Sequence, residues 1–238
     1  MDVGGNQPRP RVAGAQPLTV VTPFAPRPDH PLWMDYLPLL RLLGASARRF
    51  GHRHRVVTDA ELPGFETLRV ALPAELMPAI LAENVAYLET WDDSHPVVFA
   101  DCDCLVMRDL GGAFDGSFDI GLTHRDNPAD PINNGVIYLA AGARTAALAF
   151  FRRALAVCGT EWGADQWAVA AAAAPVPDED GVQVRNGVRY AFLPMVTHQA
   201  IPSNPPHWQK GNPFVVHFKG RRDKALMTSY AARLGVTA

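Results

Sequence analysis

Cysteine is scarce in this chain. Cys102, Cys104 and Cys158 are an odd three among 238 residues, with no C-x-x-C pair. That count excludes a disulfide framework and a thiolate zinc site, and reads as reduced thiols in a cytoplasmic protein. Charge of one sign is also lacking: 22 Lys and Arg face 24 Asp and Glu, for a formal net charge of −2. A nucleic-acid-coating surface needs a basic excess, so nucleic acid is not an expected partner. No apolar run reaches the length of a transmembrane segment. The N-terminal MDVGGNQPRPRVAGAQP has no apolar stretch of the signal-peptide kind. Residues 1–16 read as a flexible lead-in rich in Pro and Gly, and 17–238 as one domain. There is no internal repeat.

With 48% hydrophobic residues, the chain has ample material for a core. LTVVT (18–22) is a β-branched run stopped by a turn-rich PFAPRPDHP. From Trp33 to Phe50 the apolar positions Leu37, Leu40, Leu43 and Ala47 recur at helical spacing, and Gly51 follows as a stop. HRHRVVTD gives a second strand ending at Asp59. Leu72 to Leu88 predicts a helix whose regular part starts late, because of Pro73 and Pro78. VVFADCDCLVM (97–107) is the next strand. FDIGLTH and NNGVIYLA follow, joined by RDNPADPI, with helices over 143–157 and from about Ala164. VRYAFLP and PFVVHFKG are late strands, and a helix over 224–234 ends the chain. The rhythm of strands and crossover helices is that of an α/β sheet. Ala174 to Gly181 reads as a surface loop.

VVFADCDCLVM poses the chemical question. In a strand, residues two apart share a face, so Asp101 and Asp103 lie on one side and Cys102 and Cys104 on the other. The cysteines read as small apolar residues packed against a helix. Two carboxylates side by side repel one another unless a cation lies between them, and oxygen ligands suit Mg²⁺ or Mn²⁺. A solvated strand end is the plainer alternative. A haloacid-dehalogenase-type phosphatase, with Asp101 as nucleophile, is another. That motif belongs on a domain's first strand, however, whereas at least two strands precede it here.

Taken with the later segments, the sequence resembles the GT-A-fold glycosyltransferases of the glycogenin and galactinol synthase family and its bacterial relatives. The matching pieces are PLTVVTPF, VVFADCDCLVMRDL with its D-x-D, INNGVIYL, WGADQWAV and VVHFKGRRDK, in the family's order from Leu18 to Lys224. The resemblance implies one GT-A domain with a mixed, mostly parallel sheet flanked by helices. It implies transfer of a sugar from a nucleotide-diphosphate donor, a UDP-sugar, to a hydroxyl acceptor, with retained anomeric configuration. It makes Asp101, Asp103 and His217 the ligands of Mn²⁺ or Mg²⁺. Thr22, Phe24 and Asp59 then lie by the base and ribose, and Asn134, Gly135, Asp165 and Gln166 by the reacting sugar.

A glycine at 135 would admit the sugar ring. NNG is also a turn signal, although no strand of hairpin spacing precedes it. For Asp165 the alternative is a helix N-cap. Lys219, Gly220 and Lys224, with Arg221 and Arg222, are placed to meet the diphosphate; a surface basic cluster is the alternative. The loop from Arg125 to Ile132 and IPSNPPHW (201–208) are acceptor-side candidates.

Two departures stand out. The family carries a Lys or Arg on the helix before the D-x-D strand, and none occurs here between Val70 and Ala100. Either the C-terminal basic cluster takes over, or diphosphate binding is weak. The closing motif also has its lysine one residue late, with Ala225 and Leu226 replacing Pro-Trp. A nucleotide-sugar-binding protein without turnover is therefore a further alternative.

Overall fold

In the computed structural model of the chain, the described residues are 18–26, 33–202 and 212–237, with side chains described except at 33–35 and 220–224. The lead-in 1–16 and most of the IPSNPPHW segment lie outside them.

The chain runs β1 (Thr19–Pro23), α1 (Trp33–Arg49), β2 (Arg53–Thr58), β3 (Thr67–Arg69), α2 (Leu76–Thr90) and β4 (Val97–Ala100). It continues with β5 (Cys104–Val106), a 3₁₀ turn (Leu110–Ala113), β6 (Ile120–His124), β7 (Ile132–Leu139), α3 (Arg144–Val157) and α4 (Ala164–Ala173). Last come β8 (Gly181–Arg185), β9 (Val188–Pro194), α5 (Met195–His198), β10 (Val215–His217) and α6 (Gly220–Arg233). Eight strands form one mixed sheet in the order β3-β2-β1-β4-β7-β6-β9-β8, and β10 and β5 form a separate ribbon. The β3-β2-β1-β4 half is parallel, as is β6 with β9; β4–β7, β6–β7 and β8–β9 are antiparallel. The mixed, mostly parallel sheet expected of the fold is therefore present.

The continuous apolar run of β4 is explained by burial on both faces. Val97 and Phe99 pack with Leu81 and Leu88 of α2, Phe150 and Phe151 of α3, and Val169 of α4. Val98 and Ala100 pack the other way, with Leu43 and Ala47 of α1 and with Cys104 and Val106 of β5. Helix α1 stops where its sequence says: Gly51, at φ 77°, donates its N–H to the Arg48 carbonyl. Helix α2 begins at Leu76, later than Leu72, so that Pro73 falls outside it and Pro78 within its first turn, where no donor is missed. The two unforeseen strands of the main sheet, β3 and β8, are its edges. β3 is only three residues long, and β8 leaves Val182 and Val184 exposed, so neither carries a strong alternating pattern.

Two expectations are corrected. VVFADCDCLVM is not one strand. β4 ends at Ala100, the Cys104 N–H bonds back to the Asp101 carbonyl (3.1 Å), and β5 then joins the other sheet. Cys102 and Cys104 consequently pack in different places, Cys102 against Phe24, Leu40, Val56 and Leu62, and Cys104 between the main sheet and α1. Secondly, β7 does have an antiparallel hairpin partner, β6, across a connection longer than a tight turn and with a bulge at Leu122/Thr123.

Beneath the β1–β2 pair lies a buried polar contact. Thr22 Oγ1 and His54 Nε2 are 3.0 Å apart, and the imidazole fits against Gly44, where a Cβ would come within 2.5 Å of Nδ1. Burial, followed by the charge of Arg48, lowers His54 to about 4. An unfolded histidine titrates near 6.5, so between those values the unfolded chain binds the extra proton. The resulting stability is complete above pH 6.5 and is lost as pH falls towards 4, by about 3 kcal/mol. Urea midpoints at pH 7 and 4.5 should differ accordingly, and His54→Gln should remove this part of the difference.

Candidate metal and donor site

The turn after β4 and the end of β10 converge at the carboxyl edge of the parallel strands. His217 lies directly across the ribbon from Cys104, which places its ring beside both aspartates. His217 Nε2 is 3.0 Å from Asp103 Oδ1 and 3.4 Å from Asp101 Oδ2. Asp103 and His217 are buried, while the Asp101 side chain is 40% exposed and faces the opening. The acidic pair thus meets through a tight turn rather than through strand alternation.

Loss of water around its carboxyl group raises Asp101 above the ordinary carboxylate range; His217 opposes the rise, Asp103 and Asp165 add to it, and Lys219 opposes it. Such a concentration of negative charge is relieved by a cation. The spacing fits one: in an octahedral site with bonds of about 2.1 Å, adjacent ligand atoms lie about 3 Å apart. Asp103, Cys104 and His217 also present ligand atoms within 4.8 Å of one another. The Cys104 thiol, however, is fully buried and held well above its usual range by that burial and by the Asp103 and Asp101 charges. It donates to the Gly135 carbonyl at 3.7 Å. Asp101, Asp103 and His217 thus bring two carboxylates and an imidazole to a place where a metal ion could be held.

Gly135 has a different task from the one its sequence suggested. A Cβ there would collide with Cε1 and Nδ1 of His217 and stand 2.6 Å from Gln199 Nε2. The space is filled by the imidazole rather than left for a sugar ring. The Gly135 carbonyl also accepts the Asp101 N–H at 2.9 Å, so one residue seats both the turn and the histidine.

Around this centre lies a polar network. Asn134 donates to Asp165 Oδ2 at 2.6 Å, and Asp165 is the acid in the first turn of α4, whose N-cap is Gly163. Gln166 donates to Asp130 (2.6 Å) and accepts from Arg125 (3.2 Å) and Lys219 (3.5 Å). Arg125 also pairs with Asp130. Burial first, and the nearby Arg125 charge second, lower Lys219, while Asp101 and Asp103 resist that fall. Helix α6 begins at Gly220, four residues earlier than expected, and the Phe218 N–H bonds to the Asp103 carbonyl. Its N-terminus therefore opens beside the acidic pair. The side chains of Arg221, Arg222 and Lys224 lie outside the described residues.

The base-side expectations fare unevenly. Thr22 is fully buried with its hydroxyl on His54, and Phe24 packs with Leu40, Val56 and Leu62. Neither side chain is presented to a ligand. Asp59 follows the end of β2, at the same sheet edge as Asp101.

Sequence reading missed Asn84, Thr123, Gln199, Arg125 and Asp130 as individual residues. Asn84 lines a cavity with Asp101, Asn134, Phe99 and Val169, and its Oδ1 has no hydrogen-bond partner among the described residues. It is on α2, the helix that lacks a basic residue. Only its place in the helix before the D-x-D hinted at it. Arg125 and Asp130 lay within a loop singled out for its position. Nothing local marks Gln199 or Thr123.

Gly135→Ala should displace His217 and weaken Mn²⁺ binding by at least about tenfold, while costing about 1–3 kcal/mol of stability through overpacking. Calorimetric Mn²⁺ titration and urea unfolding check the two effects.

No known family profile matches the sequence, and no curated protein matches it. Solved structures do. A glycosyltransferase involved in glycosylation of the major capsid of PBCV-1 superposes with a TM-score of 0.59 at 14% identity, over 90% of this chain and 100% of the other. The galactosyltransferase LgtC, solved with donor and acceptor sugar analogues, gives 0.52 at 14% identity over 92% and 96%. The glycosyltransferase GlyE of Streptococcus pneumoniae TIGR4 gives 0.58 at 11% identity over 91% of this chain and 60% of that one. What the chain shares with these proteins is a GT-A-type fold, a mixed α/β sheet flanked by helices.

Proposed function

We propose that this protein is a metal-dependent glycosyltransferase that moves a sugar from a nucleotide-diphosphate donor, a UDP-sugar, to a hydroxyl acceptor. The observation that carries the reading is the convergence of Asp101, Asp103 and His217 at the carboxyl edge of a GT-A-type sheet.

Mn²⁺ or Mg²⁺ held by these three residues would neutralise charge that develops on the leaving diphosphate. Lys219 and Arg125 contribute positive charge at the same edge, and the α6 N-terminus adds backbone N–H donors. Together they stand in for the basic residue missing from α2. Asn134 and Asp165, already hydrogen-bonded to each other, keep further lone pairs and an N–H for sugar hydroxyls. Gln166 sits between Lys219 and Asp130, where it fixes the cation as well as facing the sugar. Asn84, which lines the cavity beside Asp101, is a donor-side hydrogen-bonding group. The retaining outcome follows from the resemblance to a retaining family. The phosphatase alternative loses its ground with the fold, since Asp101 closes the fourth strand and shares His217 with Asp103.

Calorimetric titration with UDP should show binding that requires Mn²⁺ and that falls by at least about 100-fold in Asp103→Ala. Manganese-independent binding, or none, would sink the UDP reading. Release of free nucleotide from a panel of nucleotide sugars separates a transferase from a protein that only binds them. In that assay Lys219→Met should lower kcat/KM by about 10²-fold.

A further inference from the structure

Gln199 is buried in full, and of the expected site residues it hydrogen-bonds only His217 among the described residues. Its amide spans two groups. Nε2 is placed 2.7 Å from His217 Nδ1, and Oε1 meets Thr123 Oγ1 at hydrogen-bonding distance. Thr123, also fully buried, has its hydroxyl 2.6 Å from the Asn133 carbonyl and 3.3 Å from that of Val136.

Counting hydrogens decides which way the amide points. A threonine hydroxyl has one hydrogen, and carbonyl oxygens have none. With the amide oxygen towards Thr123, that hydrogen must serve both Gln199 and Asn133, and one close oxygen pair is left with nothing between them. An amide's oxygen and nitrogen have nearly the same shape, so the group can be exchanged end for end without moving an atom. Exchanged, the amide, the Thr123 hydroxyl and the Asn133 carbonyl are all satisfied, and the contact left to fill is that of His217 Nε2 with Asp103 Oδ1, 3.0 Å away, where a cation belongs. Thr123 donates to the Asn133 carbonyl and accepts from Gln199 Nε2. The Gln199 carbonyl then accepts from His217 Nδ1–H. With its hydrogen on Nδ1, the ring turns the Nε2 lone pair towards Asp101 and Asp103, which a metal ligand needs. The other orientation fills the Nδ1 lone pair, so a neutral ring carries its hydrogen on Nε2, facing the aspartates, where an ion is blocked.

We infer that Gln199 is the positioning residue for His217. Anchored by Thr123 and the Asn133 carbonyl, it keeps a hydrogen on Nδ1 and leaves Nε2 for the ion. This rests on the reading of Asp101, Asp103 and His217 as a divalent-metal site. The chain of contacts begins at a backbone carbonyl of β7, two residues before the glycine that seats the same ring. Register in one strand therefore sets both the place and the hydrogen-bonding state of the histidine.

The test is ¹⁵N NMR of histidine-labelled protein, without metal and with saturating Mg²⁺, beside Mn²⁺ titrations followed by the EPR signal of the free ion, with and without UDP. His217 should keep a hydrogen on Nδ1 in both NMR samples. Gln199→Met, similar in shape but without the amide, should weaken Mn²⁺ binding by about 10- to 100-fold. Gln199→Glu, which still accepts from Nδ1–H but gives up the N–H donated to Thr123, should bind Mn²⁺ more tightly than Gln199→Met does. Should Gln199→Met fail to fold, Thr123→Val removes the anchor, and its His217 signal should lose the single Nδ1–H form. An Nδ1 without hydrogen in the wild type, or undiminished Mn²⁺ binding by Gln199→Met, overturns the inference. A wild type that binds no Mn²⁺ but keeps Nδ1–H overturns the metal reading alone and leaves the amide orientation standing.

Discussion

Two carboxylates crowded around one imidazole, with one of them buried, constrain everything else at this edge of the molecule. Burying like charges together costs several kcal/mol unless a counter-charge or a set of hydrogen bonds answers them. The chain answers with structure drawn from distant places. The turn after β4 brings in Asp101 and Asp103, the β5–β10 ribbon brings in His217, and α6 starts immediately beyond. Lys219 and Arg125 stand at hydrogen-bonding distance from Gln166, close enough to repel one another, an arrangement that the nearby acids make tolerable. A divalent ion and an anionic ligand complete the same balance of charge, which is why the site's electrostatics and its proposed chemistry are one argument.

That constraint also explains why β5 and β10 leave the main sheet. Had VVFADCDCLVM continued as a single strand, Asp101 and Asp103 would point the same way but lie over the apolar face with Val97 and Phe99. The turn at Asp101 releases the carboxylates from the core and lets Cys104 re-enter it, buried between the main sheet and α1. A two-stranded ribbon is marginal by itself. Here its outer side is covered: Leu105 and Val216 pack with Leu39 and Leu42 of α1 and with Met227 and Tyr230 of α6. His217 is thus carried by a small element clamped between two helices, and Asp101 and Asp103 lie in the turn that leads into it.

Much of this was legible in the sequence, and the parts that were not share a cause. Periodicity marked α1, α3 and the central strands because their partners demand one apolar face, and Gly51 marked a stop because its backbone needs a positive φ. The D-x-D, the N-N-G and the H-F-K-G segments located the site because their chemistry is unusual in apolar surroundings. Gly135 was noticed for the right reason, absence of a side chain, but the occupant of the space was the histidine, a fact only tertiary contact reveals. Thr22 and Phe24 sat at the expected strand end, yet side-chain direction there is decided by His54 and by the cluster beneath α1. Asn84, Thr123 and Gln199 carry no local signal at all, since an amide or hydroxyl in an apolar segment looks the same whether it serves a ligand or the backbone.

The lack of a Lys or Arg between Val70 and Ala100, with the amide of Asn84 in the cavity wall, has a consequence for how the edge is organised. A basic residue on α2 would sit in the cavity wall beside Asp101 and pair with it, drawing the negative charge away from His217. A neutral amide leaves Asp101 to the histidine and to whatever cation enters, and the charge that would have come from α2 arrives instead from the β6–β7 loop and the α6 end, as Arg125 and Lys219. Both hydrogen-bond to Gln166. Positive charge thus gathers at Gln166, while the neutral amides Asn84 and Asn134 line the cavity with Asp101. In the proposed reading, this division matches a ligand with an anionic end and a polyhydroxylated end, with the Asp101–Asp103–His217 cluster at the junction between them.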